Sequence, residues 1–139
     1  MTAVAALLLT AAAPYAYTLE ITPVQGPVVP AVEARYSRAV AACKARAQVT
    51  NETALCFVAE FRRQDAALNR QWAATLARIP AAQRPALRAA QRAWVGQRDP
   101  FCEGVYKSFD GGTFAPIAYA DCRVELTIRR SMWLEKLGR

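Results

Sequence analysis

Four cysteines in a chain without histidine constrain this protein more than any other feature of its 139 residues. Cys43, Cys56, Cys102 and Cys122 form an even set, all downstream of an uncharged apolar N-terminus. That pattern predicts an exported domain stapled by two disulfides. The missing histidine removes the commonest general base and metal ligand. Of the three connectivities open to four cysteines, sequence proximity favours Cys43–Cys56 and Cys102–Cys122. The cysteines lie too far apart for a zinc site and contain no Cys-x-x-Cys redox pair, so neither metal nor cofactor is implied.

The length fits one domain. Residues 1–18 are expected to be a signal peptide, because residues 3–13 have the length and character of its apolar core. The run is shorter than the ~20 residues of a spanning helix and is interrupted by Pro14. No cysteine precedes Cys43, so no lipid anchor is expected. Residues 19–30 contain Pro23, Gly26, Pro27 and Pro30 and read as an extended leader. The folded domain is therefore placed at 31–139, in the periplasm or secreted, with no membrane span in the mature chain.

Within that domain the apolar spacing is helical. Val32, Tyr36, Val40 and Cys43 predict a helix from Ala31 to about Ala47. Thr50 or Asn51 is the expected N-cap of a second, with the stripe Leu55, Val58, Phe61, Leu68, Trp72 and Leu76, stopped by Pro80. A third helix begins near Ala81 or Pro85 and carries Leu87, Ala90, Trp94, Phe101 and Val105. Pro100 predicts a kink or break near Asp99. Asp110-Gly111-Gly112 marks a turn. Near Thr113 a last helix opens, with Pro116 in its first turn and the stripe Tyr119, Leu126, Arg130 and Leu134, with Leu137 close by. No segment alternates with period two for long enough to make a strand. The expected fold is all-α: a small disulfide-stapled antiparallel bundle of three main helices plus a short N-terminal one.

Asp65, Asn69, Gln91 and Arg98 fall within or beside these stripes. A buried carboxylate is tolerable only when paired. Asp65 is therefore expected to bridge two helices to Arg98, with Gln91 and Asn69 adding hydrogen bonds. The plainer role for such a network is to fix helix register.

The net charge is +7, and residues 1–18 carry none of it. A basic surface suits an anionic partner such as phospholipid or polysaccharide. Arginine in excess of lysine, with abundant alanine, better fits a GC-rich coding bias without a selected patch. Arg62-Arg63 and Arg129-Arg130 are pairs, not a nucleic-acid arm, so nucleic acid is not an expected partner. Enzymatic readings find no support. Ser37, Ser108 and Ser131 lack an elbow motif, and eleven scattered acids give no reason to set two across a cleft.

One set of residues has a family look. It comprises Thr53-x-x-Cys56, Asp65-x-x-Leu68-Asn69-x-x-Trp72, Leu87-Arg88-x-Ala90-Gln91-Arg92-Ala93-Trp94, Arg98-Asp99, Cys102, Gly111-Gly112-Thr113, Pro116, Cys122 and Thr127. Over about residues 43–137 it resembles the LprI-type family of small bacterial exported domains, named after a lysozyme inhibitor. The resemblance implies an α-helical, disulfide-bonded cell-envelope protein and, for the named member, inhibition of lysozyme. This chain departs by lacking that member's lipid anchor, by Pro100 between Arg98-Asp99 and Cys102, and by Trp72 where tyrosine often stands. No inhibitory residue carries over.

An inhibitor would plug an enzyme cleft with a protruding loop. Tyr106, Lys107, Phe109, Asp110, Thr113 and Phe114 form the best candidate, offering a cation, a hydroxyl and aromatics. The same aromatics also suit an ordinary disulfide-tied turn that caps the core. A +7 chain is repelled by strongly basic lysozymes, and no acidic patch is visible in the linear order. Two noncatalytic functions stand. The first is inhibition of lysozyme or another peptidoglycan hydrolase. The alternative is an envelope module that binds anionic glycan or lipid, or that serves another exported protein.

Overall fold

The computed structural model describes residues 29–137 and 139. The expected signal peptide, and all but the last two residues of the leader, lie outside the described residues. Among the described residues the chain forms five α-helices and no strand: α1 (Pro30–Glu33), α2 (Arg38–Arg46), α3 (Thr50–Arg78), α4 (Arg84–Ser108) and α5 (Ala115–Lys136). A 3-10 turn, Ala81–Gln83, leads into α4. The three long helices and short N-terminal elements match the expected all-α architecture. Both disulfides join the cysteines nearest in sequence, Cys43–Cys56 and Cys102–Cys122.

Local chemistry moves several expected boundaries. The helix expected over 31–47 is two helices. Ser37 is extended (φ −72°, ψ 155°) and caps α2, its side chain accepting from the Val40 N–H. Thr50 and Asn51 lie inside the first turn of α3 rather than capping it. Glu52 instead reaches back to accept from the Gln48 N–H at 2.7 Å, one residue before the N-cap Val49. Leu55 is exposed, and the inward face there is Ala54, Cys56 and Phe57, because the disulfide draws Cys56 toward α2. α4 continues unbroken through Pro100. Pro100 and Gly96, whose carbonyl the proline leaves without a donor, are both exposed, so water can satisfy that oxygen. Trp94, Arg98 and Cys102 hold the opposite face inside. The last helix opens where expected, near Thr113, with Phe114 as its N-cap and Pro116 in the first turn.

Successive helices run antiparallel, so α3 and α5 are parallel. Phe61 lies beside Arg123, and fourteen residues on, Thr75 donates to the Leu134 carbonyl. α5 occupies the centre and is buried on two faces. Ile117, Ala120, Val124 and Ile128 pack against Val32, Val40, Ala54, Cys56 and Phe57. Cys122, Leu126 and Leu134 pack against Leu68, Ile79, Leu87, Trp94 and Cys102. The expected stripe on α5 traced only the second face. The first uses small and β-branched residues interleaved with charge, which dilutes an apolar pattern.

Candidate functional site: the α4–α5 knuckle

The six candidate loop residues form one exposed knuckle at the end of the bundle. Cys102 and Cys122 tie α4 to α5 below it, with Cα atoms 5.7 Å apart. Above the disulfide the backbone winds tightly. Asp110 N–H donates to the Lys107 carbonyl (3.1 Å), Gly112 N–H to Phe109 (2.8 Å) and Ala115 N–H to Gly112 (3.0 Å). Asp110 and Gly111 take positive φ, 51° and 73°. Glycine adopts that region freely and aspartate is among the few other residues that tolerate it. A Cβ on Gly112 would meet the Phe109 oxygen at 3.0 Å, so this position accepts no larger residue without adjustment.

Tyr106, Phe109 and Phe114 are the exposed aromatics among the described residues. Phe109 and Phe114 pack on each other at 5.5 Å between centroids, and Tyr106 sets its edge on Tyr119 at 6.4 Å. Lys107, Asp110 and Thr113 are exposed beside them. Phe109 and Phe114 therefore pack on each other and face solvent, while Tyr106 rests on Tyr119, which itself packs against the core of Leu87, Trp94 and Leu126. Glu103 and Asp110 outnumber Lys107 along this stretch, so the knuckle does not share the strong basicity of the whole chain.

The polar network forms with altered roles. Arg98 Nη1 donates to Asp65 Oδ1 at 3.2 Å across α4 and α3. The buried partner is the guanidinium, whereas the Asp65 side chain retains 40% exposure, so the expected buried carboxylate is a rim carboxylate. Arg98 lies over the rings of Phe61 and Trp94, which cover its faces. Asp99 joins the network by accepting from Arg98 Nε (3.0 Å) and Arg123 Nε (3.1 Å). Gln91 belongs to a neighbouring contact, accepting from Arg130 Nε at 2.9 Å. Asn69 is exposed and stands apart from the network.

A second buried charge was not legible. The Glu60 side chain has no exposed surface and accepts from the Ser37 N–H, the Ser37 hydroxyl, Arg63 Nε and Gln64 Nε2. Burial by itself would raise its carboxyl, but the hydrogen bonds from Gln64, Ser37 and Arg63 prevail and hold it below the usual carboxylate range. Nearby, the Tyr36 hydroxyl donates to Asp121 Oδ1 at 2.6 Å. Burial pushes both the Tyr36 hydroxyl and the Asp121 carboxyl up, and Glu125 adds to both shifts. The only sequence signal for either site was an acid beside an apolar position.

Similarity to known proteins bears on what this scaffold is for. A family model described as "Lysozyme inhibitor LprI" matches residues 42–134, from α2 almost to the end of α5. The chain belongs to the LprI family. An uncharacterized protein of Rhizobium meliloti (strain 1021) is 31% identical over 96 residues, spanning 60% of this chain and 69% of the relative. No solved structure matches. The match covers both disulfides, the network and the knuckle. At the family level, LprI membership carries the description of a lysozyme inhibitor. No described helix is long and apolar enough to cross a membrane.

Proposed function

We propose that this protein is a noncatalytic, exported inhibitor that binds a peptidoglycan hydrolase through the α4–α5 knuckle, with lysozyme as its target class. The observation that carries this reading is the family match across nearly the whole folded part. Two disulfides suit an oxidising compartment, the periplasm or the exterior, which the expected signal peptide would reach. The knuckle supplies the surface. Its exposed aromatics have few rotatable bonds, and the disulfide below limits its freedom, so little entropy is lost on docking. Lys107 would approach the carboxylates of a hydrolase cleft while Phe109 and Phe114 cover apolar wall.

Long-range repulsion is weaker than +7 suggests. Arg88, on the far part of α4, lies twenty residues before Ser108, about 30 Å along a helix. The Debye length is about 8 Å at physiological salt, so charge at that end is largely screened from an enzyme at the knuckle.

A turbidity assay with the oxidised protein, against both basic and near-neutral lysozymes, tests the reading. Phe109→Ala and Lys107→Ala should each raise the concentration for half-inhibition at least tenfold while leaving the melting temperature nearly unchanged. No inhibition of any lysozyme would defeat the proposal, and inhibition unaffected by both changes would remove the knuckle from it.

A further inference from the structure

The positive charge is gathered at one end. Between Ala66 and Gln97 the sequence holds five arginines, no lysine and no acid, which accounts for five of the seven net charges. The fold turns this stretch into a hairpin, the second half of α3 and the first half of α4 meeting at Pro80. Between the two helices lies an open hollow of about 400 Å³, lined by Trp72, Arg88, Gln91, Arg92 and Val95.

Each lining residue narrows what the hollow can take. Arg88 and Arg92 are exposed, one helical turn apart on the same face, and neither forms an ion pair among the described residues. Like charges at that spacing repel, and an anion between them would relieve the repulsion. The Gln91 oxygen is already occupied by Arg130, which leaves its NH2 as a donor. Lysine, acid and hydroxyl are all absent, so the polar lining offers donors only. Trp72 and Val95 add a ring face and an aliphatic wall. The volume fits one ring-sized group.

We infer that this hollow binds an anionic sugar unit of an envelope glycan, its ring against Trp72 and its carboxylate or phosphate between Arg88 and Arg92. Donor-only lining selects an acceptor-rich ligand, and sugars are dense in acceptors. The paired disulfides suit an oxidising compartment, where glycans rather than nucleic acids are the common polyanions. A lipid surface would call for exposed apolar wedges, but Val95 is the sole large exposed apolar residue in this hairpin, while the exposed aromatics sit at the knuckle. The site is separate from the knuckle and would hold an inhibitor on the glycan that its target enzyme attacks.

The full oxidised protein can be titrated with oligogalacturonate, glucose 6-phosphate and a neutral chitooligosaccharide, following the Trp72 indole N–H by NMR with Trp72→Phe to assign it. Binding of the uronate or the sugar phosphate, with the neutral sugar at least tenfold weaker, is expected, and the tighter anion identifies the charged group. Arg88→Gln/Arg92→Gln should weaken it at least tenfold. Arg46→Gln/Arg62→Gln, which removes the same charge from exposed sites elsewhere, should change it less than twofold. The inference is overturned if neither anion binds at millimolar concentration or if both double variants lose affinity equally. It also fails if phosphatidylglycerol vesicles or a single-stranded oligonucleotide engage Trp72 more tightly than the sugars do. Lysozyme inhibition by Arg88→Gln/Arg92→Gln should persist, which separates this test from that of the knuckle.

Discussion

Glu60 and Arg98 are both buried beside α5, on opposite half-cores, and they are neutralised by different means. Glu60 presents two oxygens that must be met by donors, and it collects them from Ser37, Arg63 and Gln64. Arg98 presents two flat faces that rings can cover, and it needs carboxylates only at its edge, where Asp65 and Asp99 remain 40% and 39% exposed. The carboxylate therefore fixes a backbone path, the link between α1 and α2. The guanidinium fixes the packing of α4 on α3 and α5. Each half-core also has one disulfide, so the two can be broken in matched ways.

Glu60→Ala should do the most damage. It strands the Ser37 and Gln64 donors and frees the α1–α2 link, costing about 4 kcal/mol in urea unfolding. Removing the Cys102–Cys122 crosslink by Cys102→Ser/Cys122→Ser should cost about 3 kcal/mol, since it closes the longer loop, separation 20 against 13 for Cys43–Cys56. That variant should also lose inhibition, because the knuckle stands on this crosslink. The Cys43→Ser/Cys56→Ser variant, destabilised nearly as much, should keep inhibition wherever it is folded. Equal loss of inhibition in both would mean the crosslinks serve only global stability. Arg98→Ala should cost less than Glu60→Ala, about 2 kcal/mol, because Asp65 and Asp99 can hydrate when it leaves. Asp65→Ala, at the rim, should cost under about 1 kcal/mol. A larger effect for Asp65 than for Arg98 would reverse the assignment of which group is buried.

The two half-cores also differ in how far the sequence exposed them. Arg98 and Asp65 were legible as a pair because both interrupt strongly apolar stripes with tryptophan or phenylalanine one turn away. The knuckle was legible from Asp110-Gly111-Gly112 between aromatics. Glu60 was not, because it falls outside the stripe traced through Leu55, Val58 and Phe61, and its main partner Ser37 lies 23 residues away across a break that apolar spacing conceals. Apolar periodicity ran straight through Tyr36 and Ser37, since a residue can keep its inward phase while the helix restarts. The regional charge was hidden for another reason: isolated arginines four to eight residues apart become a patch only when α3 and α4 fold back on each other.

Acid should sharpen the contrast. The Glu60 carboxyl is held below its ordinary value of 4.5, so its contribution is fully present above that pH and is lost as the pH falls through the lower, folded value. Wild-type stability should therefore fall on acidification through the Glu60 half-core first, and Glu60→Gln should begin less stable at pH 7 but show a shallower acid limb. Parallel acid limbs for Glu60→Gln and wild type would mean that other carboxylates govern acid unfolding.

The smallest expected effect comes from Asp121, and its sign is opposite. Burial and Glu125 raise its carboxyl in the fold, outweighing the Tyr36 hydrogen bond and Lys44, so its ionised form is disfavoured there. Raising the pH from below its ordinary value of 3.8 through the folded value removes stability, and acidification restores it. Asp121 thus offsets part of the Glu60 loss at low pH. Asp121→Asn keeps an oxygen to accept from Tyr36 and deletes the charge. It should raise stability at pH 7 by less than about 1 kcal/mol and steepen the acid limb, because the compensating protonation is gone. Destabilisation at pH 7 would show instead that Tyr36 needs a charged acceptor, and that the hydrogen bond, not desolvation, dominates this corner of the α5 face.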